Sequence, residues 1–307
     1  MILCVSLSPC LEINVEVDSL TVGMSHRVRS KRTFFTGKSL NVAIGLSRLG
    51  ADSLATGFMY EDNGRLFEQE LHKEGVTYKF VWVDGRVKEV YKFVDRRSML
   101  TEVVDEASDI GSDKADQLLE YVNDLSSDCK AVVISGDVAG GLSDDYFEKV
   151  VSSVNGNAMK VIDTEGKKLT SSLKYGADLV KPNLDELQST LNVRITDKES
   201  MLKACNALID MGAKRVLLSL GKKGAVITDG QKRYYCVSMN VAMNSTAGAG
   251  DAMVAAATKA LTEGKDLKDI LLSGVAAGTA AVTLPDSISF DKEKYEELLP
   301  SLIVKEI

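Results

Sequence analysis

The chain has 307 residues, of which 45% are apolar and 26% charged, with only four prolines. A chain of that length buries roughly three quarters of its unfolded surface, and this composition excludes a disordered, collagenous or fibrous protein. The balance of 44 acidic against 37 basic residues gives a net charge of −7, which disfavours a duplex-DNA binder relying on phosphate neutralisation but permits a local anion pocket.

Residues 2–7 read as a buried first strand, with no basic leader before it. Residues 12–17 (EINVEV), 26–35 (HRVRSKRTFF), 78–83 (YKFVWV) and 88–94 (KEVYKFV) alternate polar and apolar side chains with period two. That is the pattern of antiparallel strands exposed on one face. Between them, residues 38–49 form a helix closed by Gly50, residues 53–58 a strand, and residues 65–73 a helix ending at Gly75. From residue 112 the rhythm becomes regular. Helices over 114–125, 143–154 and 197–211 alternate with strands at 131–135, 159–163, 177–180, 215–219 and 225–228. Two small-residue helices, 248–262 and 267–282, must pack closely.

This alternation predicts an α/β fold, a doubly wound and mostly parallel sheet with helices on both faces. The period-two pieces, inserted at about 11–35 and 77–104, are expected to form a separate small antiparallel β lid. Five scattered cysteines make a disulfide framework or zinc site unexpected, and two histidines exclude a histidine cluster. No apolar run reaches about 18 residues, so a cytoplasmic chain with neither membrane nor nucleic-acid partner is expected.

The segment 244–257, NSTAGAGDAMVAAA, carries the strongest chemical signal. Gly248, Ala249 and Gly250 open a helix, whose free N–H groups and dipole make an anion site that small residues leave accessible. Asp251 follows in the same turn, near enough to take a proton from a group attacking a bound phosphate. A plain glycine-rich turn with a first-turn acid accounts for the segment as well.

Several segments in one order decide the matter. The motifs SLSPCLEINV, GKSLNVAIGLSRLG, ATGFMYEDNG, TEVVDEASDI, VVISGDVAGGL, VIDTEG, LVKPNLDEL, LLSLGKKGA and STAGAGDAMVAA run along the chain. Together they resemble the ribokinase-like (PfkB-type) carbohydrate kinases, most closely the 1-phosphofructokinase and tagatose-6-phosphate kinase branch. The resemblance covers essentially residues 1–307 as one kinase domain. It implies that Asp251 is the general base and that Gly248, Ala249 and Gly250 hold the transferring phosphoryl group.

In KPNLDE, Asn183 and Glu186 stand three apart at a helix start, a spacing shared by a capping box and by one ligand-facing edge. The resemblance gives Lys181, Asn183 and Glu186 a nucleotide-phosphate role, with Asn183 and Glu186 holding Mg²⁺ through water. By the same likeness Ser219, Gly221 and Gly224 border ATP and Gly278 lines the adenine pocket, although a tight turn and helix packing explain those glycines equally.

Thr36-Gly37-Lys38-Ser39 is not a P-loop, because Arg32 stands where the motif needs its first glycine. The family pattern there is G-G-K-G-x-N, which implies that Gly37 and Asn41 meet the sugar and that Lys38 neutralises phosphate charge. Arg27, Arg29 and Lys31 share one face of a lid strand, with Lys88 and Lys92 on another. The likeness implies that Arg27 and Lys92 contact the substrate's own phosphate, and that Glu12, Lys88 and Ser135 belong to the sugar site.

The sugar half departs from the family pattern. Glu12 replaces an Asp, Thr36 and Ser39 replace glycines, Lys88 an Arg, Val90 and Val104 asparagines, and Asp137 the second serine of S-G-S. The implied activity is ATP- and Mg²⁺-dependent phosphorylation of a hexose phosphate, fructose 1-phosphate or tagatose 6-phosphate. The alternatives are a kinase for an unphosphorylated sugar or nucleoside, and a catalytically weak sugar-phosphate or nucleotide binder. Aromatic residues Tyr78, Phe80, Trp82 or Phe93 on the outer lid face would pair two lids into a homodimer.

Overall fold

The computed structural model describes residues 1–284 and 290–307. In chain order the elements are β1 (Ile2–Ser6), β2 (Cys10–Val17), β3 (Val28–Thr36), α1 (Lys38–Arg48), β4 (Ser53–Tyr60), α2 (Arg65–Lys73), β5 (Thr77–Val83), β6 (Lys88–Val94) and β7 (Leu100–Asp105). There follow α3 (Ser112–Ser126), β8 (Ala131–Ser135), α4 (Tyr146–Ser153), β9 (Met159–Asp163), α5 (Gly166–Ser172), β10 (Leu179–Val180), α6 (Leu184–Leu191), α7 (Lys198–Asp210) and β11 (Val216–Ser219). The chain closes with β12 (Ala225–Thr228), β13 (Arg233–Cys236), α8 (Ala249–Thr262), α9 (Leu267–Ala281), α10 (Lys292–Leu298) and β14 (Val304–Glu306).

Ten strands form one sheet in the order β14-β13-β12-β11-β10-β9-β8-β1-β4-β5. From β11 to β5 every pairing is parallel, and β12, β13 and β14 add an antiparallel margin. The continuous apolar runs ILCVS and AVVIS lie at its centre, wholly buried, as strands covered on both faces must be. Helices α3 to α7 pack in succession on one another, while α1 packs on α8 and α8 on α9. This is the expected doubly wound α/β core. Among the described residues no helix is long and apolar enough to cross a membrane.

The lid is a four-stranded sheet in the order β3-β2-β6-β7. Its pairings are antiparallel except β2 with β6, which run parallel. One expectation fails. Residues 77–83 do not join the lid; β5 pairs parallel with β4 at the margin of the main sheet. An edge strand shows one side to solvent, so it alternates as a lid strand does. Phe80 is buried there, Tyr78 stacks on it at 5.7 Å, and the Arg65 guanidinium covers Trp82 at 3.8 Å. Three of the four aromatic residues expected on the outer lid face are therefore elsewhere, and Phe93 packs with Val15 on the lid.

Close approach is built into two places. A Cβ at Gly278 would come within 2.7 Å of Met253 Cγ, so this glycine lets α9 lie against α8, as the small-residue pattern requires. Gly57 on β4 has φ +133°, and a Cβ there would fall on the carbonyl oxygen of Ser6 in β1. Gly57→Ala should therefore cost about 3 kcal/mol or more, combining backbone strain with separation of two central strands. A urea unfolding free energy within about 1 kcal/mol of wild type, at unchanged slope, would show that the strands can part cheaply.

Candidate active site

The chain leaves β1 for the lid and for β4 and β5 on one side, then returns to build β8, β9, β10 and β11 on the other. Strand order thus reverses beside β1, and ligands of such sheets sit at the carboxyl ends of strands at this switch point. Ser6, Ser135 and Asp163 are the last residues of β1, β8 and β9, and all three line cavities there.

Two cavities meet at this edge. The larger, about 760 Å³, takes in Lys181, Asn183, Glu186, Ser219, Gly221, Gly224, Gly278 and the Gly248–Gly250 turn. The smaller, about 300 Å³, opens under the lid and is walled by Gly37, Asn41, Lys88 and Ser135. Lys38 and Asp251 belong to both. The volumes lie in the range of ordinary small-molecule sites.

Asp251 is the third residue of α8, 7% exposed, and its Oδ2 accepts a 2.7 Å hydrogen bond from Asn41 Nδ2 in the first turn of α1. Burial, then the nearby Asp163 carboxylate, push its pKa up to about 7, against the opposing pull of Asn41, Lys38 and Lys181. Gly248 caps α8 in the left-handed region at φ 76°, and Gly248, Ala249 and Gly250 line the larger cavity. The Ala249 amide donates a long 3.4 Å bond back to the Thr246 carbonyl, so the first turn of α8 is only loosely closed.

Lys38 starts α1, with Nζ 3.8 Å from Asp163 and 3.9 Å from Glu186. Burial works to lower its pKa, but Asp163, Glu186 and Asp251 outweigh it and hold the ammonium above its ordinary value. Lys181 is buried with Nζ 3.2 Å from Asp163. Asn183 and Glu186 do form a capping box: Asn183 Oδ1 accepts the Glu186 amide at 2.9 Å and Glu186 Oε2 accepts the Asn183 amide at 2.7 Å. The capping role and the cavity-facing role coexist, because Glu186 Oε1 remains turned toward Lys38. Among the described residues no three His, Cys, Asp or Glu side chains converge to cage a metal. A hard cation that keeps most of its waters fits this sparse set of oxygen donors.

Three expected sugar-site residues lie outside the smaller cavity. Glu12 and Lys92 face each other on the lid, joined at 2.6 Å, and Lys92 also stands 3.8 Å from Glu102. Arg27 is exposed and precedes β3, at the end where Val28 meets Val17. Thr36, which does line the cavity, is nine residues on from Arg27, roughly 30 Å along an extended strand. A period-two pattern places residues on one face but does not say which end of the strand meets the site. Conversely, Ser6, Asp163, Asp137 and the stretch Ser238–Val241 line the cavities without having been singled out as site residues. The strand-end rule points to Ser6 and Asp163; the 238–241 loop carries no comparable signal.

The raised Asp251 pKa has a consequence for folding. The folded carboxyl keeps its proton to about pH 7 and the unfolded one to about 3.8. Its stabilising contribution is complete below the unfolded value and lost as pH rises through the folded one. Asp251→Asn, which cannot ionise, should raise the melting temperature above wild type at pH 8, with the difference shrinking toward pH 4.5. An equal difference at both pH values would rule out a buried carboxyl with this shift.

A model described as "pfkB family carbohydrate kinase" matches residues 2–294. A 1-phosphofructokinase of Borreliella burgdorferi is 26% identical over 297 residues, spanning 96% of this chain and 95% of that protein. A tagatose-6-phosphate kinase of Staphylococcus epidermidis is 24% identical over 311 residues, spanning 100% of both. Phosphofructokinase-2 from Escherichia coli, in its crystal structure with fructose-6-phosphate, shares the fold at a TM-score of 0.88 and 26% identity across 98% of both chains. Its complex with potassium gives a TM-score of 0.90. The match runs through the lid, the paired cavities and the helix that carries Asp251, and the chain belongs to the pfkB family of carbohydrate kinases.

Proposed function

We propose that the enzyme transfers the γ-phosphoryl group of ATP to a primary hydroxyl of a hexose phosphate, as a 1-phosphofructokinase or tagatose-6-phosphate kinase does. The observation that carries this reading is the position of Asp251, the one acidic side chain shared by both cavities among the described residues. ATP occupies the larger cavity, its adenine end toward Gly278 and its phosphates toward Lys181 and the Gly248–Gly250 turn. The sugar occupies the smaller one against Gly37, Asn41 and Ser135.

Asp251 accepts the proton of the attacking hydroxyl, and a pKa near 7 suits a base that must be ionised yet proton-hungry at neutral pH. Asn41 holds the carboxylate in place through one oxygen, leaving the other for the substrate. Charge on the transferring group meets the amides of Ala249 and Gly250 and the ammonium of Lys38. Asn183 and Glu186 would hold Mg²⁺ through water, and the ion would supply charge neutralisation at the phosphate oxygens.

Lys88 replaces Arg27 as the contact for the substrate's phosphate, being the lid cation that lines the sugar cavity. A second reading, a kinase for an unphosphorylated sugar, draws on the pairing of the lid lysines: Lys92 with Glu12, and Lys88 with Glu106 at 3.6 Å. Two chains pair through their lids in our reading. Strands β3 and β7 are open edges, and Val28, Leu100, Val103 and Val104 are exposed on them, a patch that association would cover.

Asp251→Asn should bind ATP normally and lose at least about 10²-fold in kcat. For wild type, kcat/KM should climb through an apparent pKa near 7 on the acid side, since only the ionised base works. A folded variant within a few-fold of wild-type kcat would remove Asp251 from the chemistry. ADP release measured against a panel of sugars should give the best hexose phosphate a kcat/KM at least about 10²-fold above its unphosphorylated parent. Lys88→Ala should erase most of that preference. Equal turnover of bare and phosphorylated sugars by wild type would favour the second reading.

A further inference from the structure

The smaller cavity carries a feature that phosphate recognition does not call for. Directly after β8 the chain turns through Gly136, at φ +99°, and presents Asp137 on the cavity wall. The carboxylate is fixed there. Its Oδ1 accepts a 2.8 Å bond from the Val138 amide and lies 2.9 Å from Lys168 Nζ on α5. Lys88, the lid lysine of the same cavity, acts electrostatically on Asp137 and is itself partnered by Glu106 at 3.6 Å. Burial works to raise the Asp137 pKa, but the Lys168 hydrogen bond, the Val138 amide and the charges of Lys168 and Lys88 prevail and hold it below the usual carboxylate range. A fixed negative charge thus shares the mouth with the cation that a substrate phosphate must approach. The resembled S-G-S pattern has an uncharged serine at this position.

We propose that Asp137 is a specificity-determining residue that limits how much negative charge the sugar cavity accepts. It rests on the reading of this cavity as the sugar site. Repulsion between the carboxylate and a phosphate dianion a few ångströms away weakens anionic substrates relative to neutral ones, whereas Lys168 moderates the effect by neutralising part of the charge. Because the Asp137 side chain is largely exposed, solvent screening keeps the effect to roughly tenfold.

The test compares two variants that break the same ion pair with opposite charge changes. The readout is kcat/KM for a hexose phosphate divided by kcat/KM for its unphosphorylated parent. Asp137→Asn should raise this ratio about 5- to 10-fold, and Lys168→Met should lower it about 3-fold, with both shifts shrinking in 0.5 M salt, a concentration at which the Debye length falls to about 4 Å. Asp137→Ser serves in place of Asp137→Asn should the latter fail to fold. An unchanged or lower ratio in the Asp137 variant overturns the proposal, as does a Lys168→Met ratio equal to or above wild type. Movement of both variants in one direction would mark the pair as merely structural. Wild type preferring the bare sugar would defeat the substrate reading above, yet the shift between variant and wild type would still decide the role of Asp137.

Discussion

The hydrogen bond from Asn41 to Asp251 ties the first turn of α1 to the first turn of α8, two elements some two hundred residues apart in sequence. A buried carboxylate with no partner is expensive, and this one has a neighbouring acid, Asp163, that makes ionisation harder still. The fold offsets part of that cost with one amide donor and two lysines and leaves the rest as a raised pKa. That remainder suits the role of base proposed for the residue. Around this point the arrangement follows: α8 must be rich in small residues to come close to α1 and α9, and the glycine before it must adopt a left-handed turn.

Asp163 deserves equal weight in that account. It is 1% exposed and stands between Lys181 and Lys38. Breaking such a buried pair by removing one partner leaves the other charge stranded, which is far costlier than never having had the pair. The two lysines are thereby held on the wall of the larger cavity, with Lys38 also reaching the smaller one. Holding them there in advance lowers the reorganisation that binding a polyphosphate requires.

Much of this was legible in the sequence because the signals were local. The strands ILCVS and AVVIS, the helix-ending glycines at positions 50 and 75, and the small-residue helices all announce themselves within one element. The Gly248–Asp251 turn did so too, through a glycine pair opening a helix with an acid in its first turn. What the local signals left out needed tertiary information. Residues 77–83 alternate because β5 is a marginal strand of the main sheet, and alternation cannot distinguish that from a lid. Arg27 shares a face with Arg29, but only the register of β3 against β2 reveals that the cavity is at the other end. Glu12 and Lys92 looked like ligand contacts singly; only across the β2–β6 pairing do they become partners of each other.

The lid is joined to the core without slack. From β1 the chain passes Ser6, Ser8 and Cys10 into β2, and from β3 it passes Thr36 and Gly37 straight into α1 at Lys38. All of these residues wall the smaller cavity. The backbone that walls the proposed sugar site is therefore the same backbone that would have to bend for the lid to change its angle. Ligand affinity and lid angle become two readings of a single equilibrium, and linkage makes the dependence reciprocal. On the proposed reading, a sugar that fits tightly would bias the hinge, a hinge stiffened by substitution would alter how tightly any sugar fits, and Lys38, next in the chain, would couple both to the larger cavity.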